Sequence, residues 1–134
     1  MKKNVLILCT GNSCRSIMAE ALINARLGES VITQSSGVKA SGKVNPVAQA
    51  LLEEKGLWRN EYHSKLIETV LDTAFDLVVT VCDNAKETCP MFPNAVKTIH
   101  INFEDPSGKE KEMYAKTLEL INENLLPLIK KELC

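Results

Sequence analysis

No run of apolar residues in this chain approaches bilayer-spanning length, and the net charge is only −1. Neither a membrane anchor nor electrostatic capture of nucleic acid or an anionic membrane surface therefore has support. Met1-Lys2-Lys3 is followed by apolar residues only from Val5 to Leu8 before polar turn residues begin, too few for a signal peptide. There is no Cys-x2-Cys pair, and His63 and His100 stand far from any cysteine pair, which argues against structural zinc. The five cysteines are odd in number and irregularly spaced, unlike a secreted disulfide framework. Internal repeats, linkers and low-complexity stretches are missing too. What is there suits a single cytoplasmic domain over residues 1–134, with 45% hydrophobic and 25% charged residues and length enough for a real core. In a reducing compartment, several cysteines point to chemistry.

That chemistry centres on Asn4-Val5-Leu6-Ile7-Leu8-Cys9-Thr10-Gly11-Asn12-Ser13-Cys14-Arg15-Ser16. It reads as an apolar strand, a polar turn and the start of a helix. Backbone N–H groups of Thr10, Gly11, Asn12, Ser13 and Cys14, with the helix N-terminus, are placed to cradle a tetrahedral oxyanion. Arg15 adds a planar fork matching two of its oxygens. Gly11 permits positive φ, and Asn12 tolerates it. Cys9 lies at the floor of this positive field, which predicts a lowered thiol pKa, and Ser16 is placed to donate to its sulfur. A buried strand ending in an inert cysteine is the bland reading; Cys, Gly, Asn and Arg all falling where a cradle needs them argues against it.

Further along, apolar spacing predicts a helix from Ser16 to Leu27 stopped by Gly28. A strand follows over Val31–Ser35. A helix begins at Asn45-Pro46 and ends at Gly56. Leu57–Ser64 reads as loop, with Trp58 as packing. Leu66–Ala74 reads as a short helix, Asp76–Val81 as a central parallel strand and Lys97–Ile101 as a fourth strand. Lys109–Leu133 reads as a long final helix that Pro127 should kink. Strands alternating with helices imply an α/β fold: a four-stranded parallel sheet in a three-layer αβα arrangement. Ligands in such sheets sit at strand carboxyl ends, so Cys9 and Cys82 should share that edge.

Cys82 and Cys89 have a spacing of their own. Were the segment between them helical, seven residues at about 1.5 Å each would separate them by about 10 Å. A disulfide needs Cα atoms within about 7 Å, so a Cys82–Cys89 bridge requires that segment to unwind.

Cys9 to Ser16 resembles the Cys-x5-Arg-Ser phosphate loop of the low-molecular-weight protein tyrosine phosphatase fold. Within that fold the chain is similar to the thioredoxin-coupled arsenate reductases. The resemblance covers essentially the whole chain, and it implies that Cys82 and Cys89 are shuttle cysteines. Thiols do not reduce phosphorus(V), whereas arsenic(V) accepts two electrons from them. The implied relay starts with Cys9 attacking arsenate, followed by Cys82 and then Cys89. Thioredoxin, or alternatively glutaredoxin, reduces the final disulfide. The resemblance also implies a general acid in an Asp-Pro after the fourth strand, which is Asp105, with Glu104 as runner-up. Ser107-Gly108 offers no aromatic slot for phosphotyrosine. Some reductases of the family hold potassium; the matching positions are Asn12, Glu20 and Ser35. Lys65 stands where the family has an aspartate, so its ammonium is expected to pair with Glu20 in a metal-free site, unless both are solvated surface charges. Cys14 is either a passive small residue or the partner of an off-path disulfide with Cys9. Cys134 receives no role. The expected protein is a monomeric arsenate reductase without bound cofactor. The rivals are a phosphatase of the same fold and a non-catalytic phosphocysteine carrier or arsenic-sequestering protein.

Overall fold

The computed structural model describes residues 2–82 and 97–133. Cys89, Cys134 and the segment between Cys82 and Cys89 lie outside the described residues. Four strands form: β1 (Lys3–Cys9), β2 (Val31–Gly37), β3 (Leu77–Thr80) and β4 (Thr98–His100). All neighbouring pairs are parallel, in the order β2-β1-β3-β4. Five successive residues of β1, Val5–Cys9, are buried, and so is every residue of β3. Successive side chains of a strand point to opposite faces, so both faces of the sheet are covered.

Helix α1 (Arg15–Leu27) packs on β1, β2 and α3 (Lys111–Leu133), and α2 (Pro46–Glu54) packs against α1 and α3. The Asn45 side chain caps α2 by accepting from the N–H groups of Val47 and Ala48, as its place before Pro46 predicts. Its amide also donates to Tyr114 of α3 at 2.9 Å. Pro127 lies within α3 on an exposed position, and the helix runs on to Leu133. The expected helix over Leu66–Ala74 is only a single 3₁₀ turn, Ile67–Val70. Its Ile67 and Val70 are buried while Glu68 and Thr69 are exposed, too narrow an apolar stripe to support a longer helix. Gly28 does follow α1, but with right-handed backbone, φ −60°.

This strand order has one functional consequence. From β1 the chain moves outward to β2, then crosses back to lay β3 on the other side of β1. The carboxyl ends of β1 and β3 therefore flank the topological switch point, where open α/β sheets bind ligands. Cys9 ends β1, and Cys82 follows β3 by two residues.

The outer edge of β2 is closed by a side chain. Asn24 of α1 gives its amide N–H to the Thr33 carbonyl (3.1 Å) and takes the Thr33 N–H on its oxygen (3.0 Å). One amide thus stands in for a neighbouring strand, a device that blunts an exposed edge. Asn24→Ala leaves a buried strand N–H and C=O without these partners. The expected loss of stability is about 1–3 kcal/mol, measured by urea unfolding at unchanged slope.

Candidate active site

Between the end of β1 and the start of α1, residues 10–14 form a loop whose peptide groups are oriented from outside. The carbonyls of Thr10, Gly11 and Ser13 accept the backbone N–H groups of Lys39 (2.9 Å), Ser41 (2.9 Å) and Asn45 (2.8 Å). A planar trans peptide points its N–H opposite its carbonyl, so the N–H groups of Gly11, Asn12 and Cys14 face the other way. On that side lies a cavity of about 200 Å³ lined by Cys9, residues 10–15, Asp105 and Ser107. The structure thus brings every expected oxyanion-binding residue to one small cleft. Ser64 adds a further tie, accepting from Gly42 N–H (3.1 Å) and donating to the Gly11 carbonyl (3.1 Å).

Of the two loop residues expected to allow positive φ, Asn12 takes the left-handed conformation, at φ 49°, and Gly11 does not. Three hydrogen bonds hold Asn12 there. Its Nδ2 donates to Ser16 Oγ (2.8 Å) and Ser35 Oγ (2.9 Å), and its Oδ1 accepts Lys65 N–H (2.8 Å). Ser16 Oγ thus accepts from Asn12, a bond that does not use its own hydroxyl proton. The glycine that the loop cannot do without is Gly37, at the end of β2. A Cβ there would stand 2.5 Å from the Thr10 carbonyl oxygen and 3.1 Å from Asn12 N. Gly37 is the last residue of β2, and the expected strand over Val31–Ser35 runs on to reach it.

Cys9, Cys14 and Cys82 are all buried free thiols. Cys9 and Cys82 are within hydrogen-bonding reach of each other, and Thr10 Oγ1 lies 3.2 Å from the Cys82 sulfur. This contact reverses the expected direction for Cys9. The hydrogen bond with Cys82 pushes its thiol up, and burial pushes the same way. Arg15 and the Thr10 N–H pull it down without prevailing. The loop's field is present, but a second sulfur against the first dominates it. Cys14 lines the cleft as a protonated thiol, pushed up to about 12 by burial and by Asp105. That favours its passive reading.

Arg15 is steered from the opposite wall. Its Nη1 donates to the Phe103 carbonyl (3.0 Å), and its Nη2 lies 3.7 Å from Asp105 Oδ2. Asp105 lines the cleft, whereas Glu104 is exposed and paired with Lys109 at 2.8 Å, which separates the two acid candidates. Burial raises Asp105, but its hydrogen bonds from Ser107, with Arg15 and Lys109 nearby, outweigh this and hold it below the usual carboxylate range. In the free protein Asp105 is thus an anion; a bound dianion is what would raise it.

Asn12, Glu20 and Ser35 do come together, by bonding one another: Ser35 Oγ donates to Glu20 Oε1 at 2.6 Å. As arranged they do not fit a cation, because Asn12 turns its NH₂ rather than its oxygen toward Ser35. The expected Glu20–Lys65 pair is not formed among the described residues; Lys65 acts on Glu20 only as a nearby positive charge. Among the described residues no group of three or more His, Cys, Asp and Glu side chains is arranged to hold a metal, and no helix is long and apolar enough to cross a membrane.

A parallel sheet of this order with a cysteine-to-arginine anion loop at its switch point defines a class. The signature of that class, low molecular weight phosphotyrosine protein phosphatase, matches residues 4–133, and the chain belongs to this family. Its relatives narrow the class. An arsenate reductase of Brevibacillus brevis is 42% identical over 109 residues, 81% of each chain. The crystal structure of an arsenate reductase from Archaeoglobus fulgidus superposes with a TM-score of 0.79 at 33% identity, covering 94% of this chain and 98% of that one. A thioredoxin-dependent arsenate reductase of Corynebacterium glutamicum gives a TM-score of 0.72 at 26% identity, covering 96% of this chain and 62% of that one.

Two measurements check the site's construction. Gly37→Ala forces backbone against backbone, so it should cost about 1–3 kcal/mol by chemical denaturation and weaken anion binding with it. Gly11→Ala meets only Ser13 Oγ, at 3.5 Å, and should cost less. Cys82→Ala removes the leading upward push on Cys9 and leaves the downward pull of Arg15 and Thr10. The pH midpoint for alkylation of Cys9 by iodoacetamide should therefore move to lower pH than in the wild type. An unmoved or raised midpoint would show that Cys82 does not govern the Cys9 proton.

Proposed function

We propose that this protein is an arsenate reductase, converting arsenate to arsenite with electrons from its own cysteines and, finally, from thioredoxin. The observation that carries the reading is the second buried thiol, Cys82, against Cys9 at the floor of the anion cleft. Hydrolysis of a phosphocysteine needs only water as second nucleophile. Reduction needs a second sulfur within reach of the first.

Cys9 gives up its proton once arsenate is bound, and its sulfur attacks arsenic(V); the proton reaches an arsenate hydroxyl through Asp105, and that oxygen leaves as water. Arg15 and the loop N–H groups hold the remaining oxygens. Cys82 then attacks the Cys9 sulfur. The S–S bond forms, the arsenic–sulfur pair of electrons stays on arsenic, and arsenite departs. Cys89 next attacks Cys82, which frees Cys9 and leaves a Cys82–Cys89 disulfide. The dithiol of thioredoxin returns that disulfide to two thiols. Asp105 suits the first step because its charge state answers to the substrate: depressed in the free protein, it gains a proton most readily when a dianion arrives beside it. The cytoplasm, where thiols are kept reduced, is the compartment this cycle requires.

The competing reading is phosphatase activity at the same cradle, to which the family's name belongs. Thiol counting separates the two. Reduced protein incubated with arsenate should lose two thiols per arsenite formed, and peptide mapping should find Cys82 joined to Cys89. Cys82→Ser should abolish multiple turnover with thioredoxin while leaving any hydrolysis of a small aryl phosphate in place. Arsenite made catalytically by Cys82→Ser, or by wild type with no thiols lost, would overturn the reading.

A further inference from the structure

Glu20 has no part in the relay, yet it is a buried carboxylate, 5% exposed, in the middle of α1. Its surroundings form a closed count of protons. The Ser35 hydroxyl has one proton, and at 2.6 Å it goes to Glu20 Oε1. Ser35 Oγ is therefore an acceptor toward Asn12, whose amide can meet it only with its NH₂ side, at 2.9 Å. The other proton of that NH₂ goes to Ser16 Oγ. The Asn12 oxygen is left for Lys65 N–H, a group that can only donate, which fixes the amide's orientation independently. Every donor and acceptor of the Asn12 side chain is used, and Asn12 is the one loop residue in the left-handed region. Asparagine tolerates that region without preferring it, so its partners are what keep the anion loop in shape.

We propose that Glu20 is a positioning residue for the anion loop: its carboxylate fixes the direction of the Ser35 hydroxyl, and through it the amide of Asn12 that holds the loop's left-handed turn. The assignment rests on reading the loop as an anion cradle and is independent of the cysteine relay. Burial, with Glu61, pushes the Glu20 carboxyl up; the Ser35 hydroxyl, Lys65 and His63 draw it back toward its charged form without prevailing. Lys2 and Arg59 line the adjoining cavity of about 320 Å³. Three of these charges sit on the segment 61–65 that also clamps Gly11 and Asn12.

The test is calorimetric titration with inorganic phosphate. Glu20→Met removes the acceptor and the buried charge while keeping comparable length. Phosphate binding should weaken about tenfold, the size of one oriented hydrogen bond lost. Its thermal midpoint is set by two opposed changes, a buried carboxyl removed and the Ser35 hydroxyl left without its acceptor, so the affinity is read at a temperature where both proteins are folded. A purely structural role would leave the affinity of the folded protein unchanged. Glu20→Gln keeps a weaker, neutral acceptor and should lose about threefold. Adding either change to Ser35→Ala should produce no further loss, since Glu20 acts only through Ser35. Wild-type phosphate affinity in both Glu20 variants, or losses that add to that of Ser35→Ala, would overturn the assignment; if Glu20→Met does not fold, Glu20→Gln and its Ser35→Ala double variant decide alone. A wild-type protein that fails to bind phosphate would instead remove the cradle reading itself.

Discussion

The site depends on the direction of a few peptide bonds. A loop of five residues binds an anion only if its N–H groups converge, and left to itself such a loop gains nothing by that arrangement. Here the convergence is imposed from behind. Backbone N–H groups of Lys39, Ser41 and Asn45 take up the carbonyls of Thr10, Gly11 and Ser13. Each bond turns one N–H to the cleft, because a planar peptide has no other choice. Seen this way, the run from the end of β2 to the cap of α2 is a brace as much as a connection. Gly37 lets it approach to backbone contact. Asn45 closes it, donating its N–H to the Ser13 carbonyl, accepting the first N–H groups of α2 on its Oδ1 and donating its Nδ2–H to Tyr114 of α3. The preorganisation that oxyanion stabilisation relies on is thus spread over β2, α2 and α3.

The strand order supplies the second ingredient. Because β3 returns to the opposite side of β1 from β2, whatever follows β3 arrives beside whatever follows β1. The residues so juxtaposed are two cysteines. Their contact changes the meaning of the cleft. A lone thiol under a helix N-terminus and an arginine is pulled toward thiolate, ready for attack on phosphorus or arsenic alike. A thiol paired with a second sulfur holds its proton against that pull. For a hydrolase this is a hindrance. For a reductant it means that the sulfur which must attack Cys9 is already in place when arsenic is bound.

What the sequence made legible was what is local. Cys9, the five-residue gap and Arg15 stand within two turns of chain, so their chemistry could be read from spacing, and the Asn45-Pro46 cap likewise. The continuous apolar run around Val78 and Val79 announced a central strand for the same reason. What was not legible was long-range. The partner that raises Cys9 lies across the sheet, the residues that clamp Gly11 and Asn12 are 53 positions away, and the cap on the β2 edge comes from the middle of α1. Gly11 was the natural candidate for positive φ on propensity. Asn12 took it because its side chain, unlike a hydrogen, could be bonded in place on three sides. The Leu66–Ala74 segment misled because isolated apolar residues can satisfy one 3₁₀ turn as well as the start of a helix.

The division of labour between Asn12 and the thiols bears on how one fold serves two chemistries. The brace, the left-handed asparagine and the arginine fork depend only on the shape and charge of a tetrahedral oxyanion, which phosphate and arsenate share. Nothing in them distinguishes hydrolysis from reduction. The distinction enters on the other side of β1, with the sulfur that follows β3, and on the cleft rim, which Ser107 lines in place of an aromatic side chain. These two sides meet at Cys9 and at Thr10, whose Oγ1 lies 3.2 Å from the Cys82 sulfur. A substitution in the brace should therefore change how tightly an oxyanion is held without changing what is done to it, and one at Cys82 should do the reverse. That separability follows from the topology: the binding half of the site belongs to the β1–β2 side of the switch point, and the reacting half to the β1–β3 side.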